Sequence, residues 1–147
     1  MAQDRGGTAH DDVMLRQLLA IKERRRDRAR HLLGEIKKQQ QHAERELGQQ
    51  AGELNAMRAH NAGRIAELRT IVNSQLATGA SHVALHSQEA LFRKEEDAKR
   101  GEVHNAAAYL REAEQATAKA NAAFLNEVKA VEKLKELRRL AGFGKAP

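Results

Sequence analysis

The only proline of this chain is Pro147, so 146 consecutive residues lack the residue that most strongly breaks helices. Proline breaks a helix because it has no amide hydrogen and its ring clashes with the preceding turn. Over the same span, apolar residues recur at alternating spacings of three and four, which keeps one face of a helix toward a partner helix. No useful window alternates apolar and polar residues as a strand does. The sequence therefore predicts an all-α protein built from long helices.

Two segments carry this repeat, and each predicts one apolar seam. The first seam is predicted to contain Leu15, Leu18, Lys22, Arg25, Ala29, Leu32, Ile36, Leu47, Ala51, Leu54, Arg58, Asn61, Ile65, Leu68 and Val72. A phase slip through Gln40 and Ala43 joins its two halves, as a stutter does in a coiled coil. The second seam is predicted to contain Phe92, Lys99, Val103, Ala106, Leu110, Ala113, Thr117, Ala120, Phe124, Val128, Val131 and Leu134.

The stretch from Thr78 to Ser81 interrupts the repeat and predicts a turn. Gly79 tolerates the left-handed backbone that ends helices, and Ser81 can cap the following helix. A short link between long helices favours an antiparallel pair. We therefore predict a long two-helix antiparallel coiled-coil hairpin over residues 11–141, with helices 11–77 and 82–140 around a turn at 78–81.

The hairpin prediction fixes the chain ends and the pairing. Asp11 or Asp12 is a candidate N-cap, residues 1–10 are predicted to form a flexible arm, and residues 142–147, with Gly142, a flexible tail. A turn at Gly79 predicts cross-helix partners whose numbers sum to about 160.

The net charge of +6 is unevenly placed. Residues 16–38 hold nine Lys and Arg against three acids, and residues 127–145 hold six against three. A hairpin brings both segments to one end. Glu23 and Asp27 are too few to neutralise the basic run, so the sequence predicts a basic docking surface for an acidic protein partner.

Other function classes have weaker sequence support. Nucleic acid is disfavoured as a partner, because no aromatic residue interleaves with the basic run to stack a base. Known catalytic motifs are absent, so we predict no enzyme and no cofactor. His82 and His86 share a helix face with Glu89, but surface contact is favoured there over a metal site. The chain also lacks the apolar run of about 18 residues that a membrane span requires.

Two short strings carry a resemblance to a known family. One is Leu18-x-x-Ile21-Lys22-x-x-Arg25-x-x-Arg28-Ala29, and the other is Leu91-Phe92-Arg93-Lys94-Glu95-Glu96. With the long coiled coil, they resemble the stalk proteins of type III secretion systems, the SctO family with its YscO and HrpO types, which is related to the flagellar export protein FliJ. Residues 13–140 share this pattern.

The resemblance implies a non-enzymatic stalk that links a hexameric export ATPase to the cytoplasmic domain of the export gate. Some members also bind secretion chaperones. It implies a cytoplasmic protein, peripherally associated with the inner-membrane secretion apparatus. The residues expected to face the ATPase are Arg24, Arg25, Arg26, Arg28, Arg30, Lys133, Lys135, Arg138 and Arg139. The alternatives are a generic coiled-coil scaffold or adaptor and a basic hairpin that binds nucleic acid.

Overall fold

The protein is a hairpin of two long helices. A computed structural model describes residues 2–74 and 79–142, with side chains described from residue 9 onward. Helix α1 spans Ala2–Ser74 and helix α2 spans Gly79–Leu140. They pack against each other, and no strand occurs in the described part of the chain. The predicted all-α antiparallel coiled-coil hairpin is confirmed.

Each helix contributes to two compact units. The first unit joins residues up to 39 with those from 113 onward, and the second comprises residues 40–112. In the first unit, Arg138 of α2 bonds to Asp12 of α1. In the second, Arg69 bonds to Glu89 and Asn61 bonds to Glu96. Because the numbers fall along α2 as they rise along α1, the helices are antiparallel in the second unit.

The observed helix boundaries correct parts of the prediction. Helix α1 begins at Ala2, so the backbone of the expected flexible arm is helical and neither predicted N-cap stands at the helix start. Helix α2 begins at Gly79, three residues before the predicted start, so positions 79–81 of the predicted turn are helical. Residues 75–78, which include the rest of that turn, lie outside the described residues, as do 143–147 of the predicted tail.

The C-terminal end of α2 agrees with the sequence. The helix ends at Leu140, as predicted. Gly142 adopts φ 79°, a left-handed conformation that favours glycine at a helix end, and its amide donates to the Arg139 carbonyl at 3.1 Å.

The pairing register agrees with the predicted sum of about 160 at two cross-helix contacts and departs from it at a third. The numbers of Arg69 and Glu89 sum to 158, those of Asn61 and Glu96 to 157, and those of Lys99 and Glu53 to 152. The departure lies at the contact farthest from Ser74 and Gly79, where the described parts of α1 and α2 end and begin.

In the first unit, the α1 residues that face α2 differ from the predicted seam at every second position. At those positions the residue that faces α2 is the next one along the chain. We name these buried or half-buried residues the inner row of the first unit. They are Asp12, Leu15, Leu19, Lys22, Arg26, Ala29, Leu33 and Ile36. The predicted Leu18 and Leu32 are 44% and 56% exposed, and Arg25 is also exposed, so these three assignments were wrong.

In the second unit, the burial pattern of α1 shifts phase at a different place from the one predicted. Residues 40, 43, 47, 50, 54, 57 and 61 continue an unbroken three-four spacing, so no slip occurs at Gln40 and Ala43. The shift comes at Asn61, which stands four residues from both Met57 and Ile65. Two successive steps of four form a stutter, at which the supercoil locally unwinds. Arg58, predicted in the seam, is exposed.

Helix α2 has a matching shift in the same unit. Its inward positions include Gln88, Phe92 and Glu96, which are also separated by two steps of four. The hydrogen bond from Asn61 to Glu96 joins the two stutters. Elsewhere on α2, every predicted seam residue is buried or half-buried, so that prediction is confirmed.

The hairpin has a thin and partly polar interior. Among residues with described side chains, the buried apolar ones are Leu33, Ala43, Leu54, Val72, Ala120 and Val131. Asn61 is the buried polar residue, only 4% exposed. Within the described residues, neither helix contains a stretch apolar enough to cross a membrane.

Candidate partner-binding surface

The nine basic residues predicted to contact a partner all belong to the first compact unit. They come from two segments more than a hundred positions apart along the chain, which the fold places in one unit. The ion pair of Arg138 with Asp12, 3.3 Å between Nη2 and Oδ1, links the two helices there. The hairpin therefore collects the basic charge of both helices, which is what a docking surface built from both would require.

Four arginines of α1 form the uncompensated part of this surface. Arg24, Arg25, Arg28 and Arg30 are exposed, and none forms an ion pair with another described residue. Their guanidinium groups thus keep their donors available in water. Arginine suits such a surface because its planar fork can bind a carboxylate through two parallel hydrogen bonds.

The remaining arginine of this run, Arg26, occupies a different environment. Its side chain is only 30% exposed, because it stands in the inner row. Its Nη2 lies 3.1 Å from Oδ1 of the adjacent Asp27. Arg26 therefore lies on the face of α1 that packs against α2, and Asp27 partly neutralises it. It presents less charge to a partner protein than its neighbouring arginines do.

On α2, the predicted residues divide into engaged and available ones. The Arg138 side chain is 19% exposed and is held by Asp12, which also pairs with Arg16 at 2.6 Å. Arg139 is more exposed, but its Nη2 lies 2.7 Å from Oε1 of Glu136. Lys133 and Lys135 are exposed and form no ion pair with the described residues. Arg138 therefore holds the hairpin together, and the two lysines are the freer cations.

The paired groups on α2 have altered protonation equilibria. The two hydrogen bonds from Arg139, at 3.0 and 2.7 Å, lower the pKa of the Glu136 carboxyl below its ordinary value. The same bonds raise the pKa of Arg139. Both groups therefore stay charged at neutral pH, and the net contribution of the pair to the surface charge is zero.

An apolar groove adjoins the basic surface, and sequence reasoning missed it. We name it the terminal groove: it has a volume of about 410 Å³ and is lined by Asp11, Met14, Leu15, Leu18, Leu137 and Ala141. Met14, Leu18 and Leu137 are 44–53% exposed although apolar. The groove lies between α1 and α2 within the first unit, so both helices form its walls.

The terminal groove continues along α1 as a second helical row. The outer row, as we call it, consists of Met14, Leu18, Ile21, Arg25, Arg28 and Leu32. Its spacings of four and three equal those of the inner row, so both rows satisfy the coiled-coil repeat. The sequence signal for this surface was therefore present, but the predicted seam combined residues of both rows.

Two ion pairs of the second unit cross between the helices, Arg69 with Glu89 and Lys99 with Glu53. Lys99 bonds to Glu53 on the opposite helix and to Glu102 at 3.1 Å, and its side chain is 12% exposed. The bond to Glu53 raises the pKa of Lys99, and the bond from Lys99 lowers the pKa of Glu53. The bond to Glu53 joins α1 to α2, which gives it a structural role.

The histidine pair considered as a metal site lies near the start of α2. His86 Nδ1 is 3.9 Å from Glu89 Oε2, and Glu89 also pairs with Arg69 at 3.1 Å. Among the described residues, no three ligand-type side chains are grouped closely enough to hold a metal ion. Glu89 instead connects the two helices of the second unit.

We compared the chain with protein-family models, with curated proteins and with solved structures, and none of the three comparisons found a match.

Proposed function

We propose that this protein is a non-enzymatic stalk of a type III protein secretion apparatus that connects a hexameric export ATPase to the export gate. The observation that carries the proposal is the gathering of unpaired basic side chains from both helices in the unit that holds the chain ends. The family resemblance at Leu18 to Ala29 falls on the same segment. On this proposal the protein is cytoplasmic and peripherally associated with the inner membrane.

The proposal assigns the ATPase contact to the exposed cations of the first unit. Arg24, Arg25, Arg28 and Arg30 would form the main contact, with Lys133 and Lys135 beside them. An uncompensated positive field steers an acidic partner and accelerates its association. A hairpin end made from two unlike helices also presents different side chains to different ATPase subunits. The gate would contact exposed residues of the second unit, and secretion chaperones are further candidate partners.

The proposal is tested by binding to the cognate export ATPase. The purified hairpin should bind the ATPase at low salt and change its rate of ATP hydrolysis. The variant Arg24→Glu/Arg25→Glu/Arg28→Glu should lose most of this binding, because three attractive contacts become repulsive. Its matched control is Arg58→Glu/Arg93→Glu/Arg111→Glu, which makes the same charge change at exposed arginines of the second unit.

Two results would count against the stalk. Absence of binding at low salt, together with an unchanged ATPase rate, removes the proposed partner. Equal losses in the two triple variants would show a response to net charge instead of to the basic surface of the first unit. Binding to duplex DNA with a steep salt dependence would favour the nucleic-acid alternative.

A further inference from the structure

The terminal groove has the form of a seat for a third helix. Its walls are Asp11, Met14, Leu15 and Leu18 from α1, Leu137 from α2, and Ala141 just after the end of α2. An open, shallow groove between two packed helices can accept the side-chain ridge of another helix, which is how helices pack in bundles. The outer row extends this seat along α1 at the three-four spacing that a partner helix needs.

The outer row is apolar at its start and basic further along the helix, and this restricts the kind of partner that can bind it. Met14, Leu18 and Ile21 are apolar and 44–47% exposed. The next two positions are Arg25 and Arg28, which are exposed and unpaired among the described residues. A helix lying along the row would meet apolar side chains over two turns and then two guanidinium groups, with Arg24 beside them.

From this surface we infer that the terminal groove and the outer row bind an amphipathic helix of a partner protein, apolar on its contact face and acidic at its flanks. The apolar face removes Met14, Leu18 and Ile21 from water, at about 25 cal/mol for each Å² buried. The acidic flanks supply carboxylates to Arg24, Arg25 and Arg28, and charge-assisted bonds of this kind are the stronger ones.

A second copy of this chain fits the surface less well. Side-by-side pairing in the same direction would place Arg25 and Arg28 opposite the same residues of the other copy, and each copy already carries a net charge of +6. Like charges directly opposed across an interface oppose association.

This inference goes beyond the proposed function, because it defines the partner by its chemistry and holds for any protein that offers such a helix. The export ATPase binding assay and the assay below can therefore fail separately. Failure to bind the ATPase would contradict the proposed stalk function only, because the groove is tested with a peptide and without the ATPase.

The test uses a synthetic helix as the probe. We would titrate the intact hairpin into a fluorescent peptide of about 21 residues, three heptads with Leu at both seam positions and Glu at the flanks. Two matched peptides replace Glu with Lys, or seam Leu with Ser. The Glu peptide should bind at least about tenfold more tightly than either, a difference that corresponds to about 1.4 kcal/mol.

Variants of the hairpin locate the binding. Met14→Gln/Leu18→Gln/Ile21→Gln should weaken the Glu peptide at least about tenfold, since all three side chains are exposed and apolar. The control Val13→Gln/Leu125→Gln changes two equally exposed apolar residues that do not line the groove and should leave binding within about twofold. Circular dichroism checks helicity, and Leu18→Gln alone replaces the triple variant if that variant unfolds.

Three outcomes would overturn the inference. The first is equal affinity for the Glu and Lys peptides, or equal losses in the groove variant and its control. The second is self-association of the hairpin in sedimentation that the groove variant abolishes, which would make a second copy the occupant. The third is binding to anionic phosphatidylserine vesicles that depends on Leu18 while the Glu peptide does not bind.

Discussion

Asn61 donates a hydrogen bond from Nδ2 to Oε1 of Glu96, 3.2 Å away on the opposite helix. The bond lies where both helices take two successive steps of four residues, and Asn61 is 96% removed from solvent. A buried polar pair in a coiled coil can fix register at some expense of stability. This contact therefore marks one alignment of α1 against α2 in the second unit.

Asn61→Ala should destabilise the hairpin by about 1–2 kcal/mol, because it removes the donor to a half-buried carboxylate and leaves a small cavity. The control is Asn55→Ala, at an exposed position of the same helix and unit, which should change stability by less than about 0.5 kcal/mol. Urea unfolding followed by circular dichroism measures both. Equal effects of the two variants would mean that the bond to Glu96 has no net stabilising role.

Leu33→Ala and Leu32→Ala test which row of α1 faces α2. Leu33 is 6% exposed and Leu32 is 56% exposed, although they are neighbours in the sequence. Burial predicts a loss of about 2–3 kcal/mol for Leu33→Ala and less than about 0.5 kcal/mol for Leu32→Ala. Both variants remove the same atoms, so unfolding experiments isolate the environment. If Leu32→Ala were the more destabilising variant, the row that packs against α2 would be the one that contains Leu32.

The Glu53–Lys99 pair should make stability depend on pH in a defined window. The folded pKa of Glu53 lies below its ordinary value of 4.5, so its contribution is complete above pH 4.5 and disappears as pH falls through the folded value. The folded pKa of Lys99 lies above 10.5, so its contribution is complete below pH 10.5 and disappears as pH rises through the folded value.

A double-mutant cycle of Glu53→Gln and Lys99→Met measures this coupling. The interaction free energy should be favourable at about pH 7 and should vanish at about pH 2, where the carboxyl is protonated. The control cycle uses the exposed Asp97–Arg100 pair within α2, which is 2.9 Å apart and joins no second helix. A coupling that persists unchanged at acid pH would contradict an electrostatic origin.

Arg138→Ala should be more destabilising than Arg139→Ala. Arg138 is 19% exposed and bonds across the hairpin to Asp12, whereas Arg139 is 66% exposed and pairs with Glu136 of its own helix. The expected loss is about 1–2 kcal/mol for Arg138, and the loss for Arg139 should be clearly smaller because water screens its exposed ion pair. Thermal unfolding at low and moderate salt distinguishes them, and equal midpoints would remove the structural role of Arg138.

The sequence was sufficient for the fold class, the two helices, the seam of α2 and the charge asymmetry. It was insufficient for the α1 seam of the first unit, because Leu18 and Leu19, and again Leu32 and Leu33, are adjacent leucines about 100° apart on the helix. Both rows satisfy the same repeat. Only the position of α2 decides which row becomes buried, and that information is not local.

The candidate surface was predicted from charge alone, and the structure adds an apolar groove beside the basic residues. A basic run can be identified in a sequence by counting its Lys and Arg residues. The sequence could not show which of these cations pair with an acid across the hairpin, because Arg138 and Arg139 are alike in sequence but differ in their acidic partners. Gly79 was assigned to the turn because glycine breaks helices by propensity, yet here it begins α2.

The paired stutters at Asn61 and Phe92 impose a rule on how this chain can change its length. An insertion or deletion in one helix of the second unit would move all residues on one side of it out of phase with their opposite numbers. A change of equal size at the same level of the other helix restores the match only when it keeps both inner faces in phase, which requires a block of about seven residues, or of three or four where a further stammer or stutter forms. Homologous sequences are therefore expected to gain and lose residues in blocks of these sizes, one block in each helix, at the same level of the hairpin.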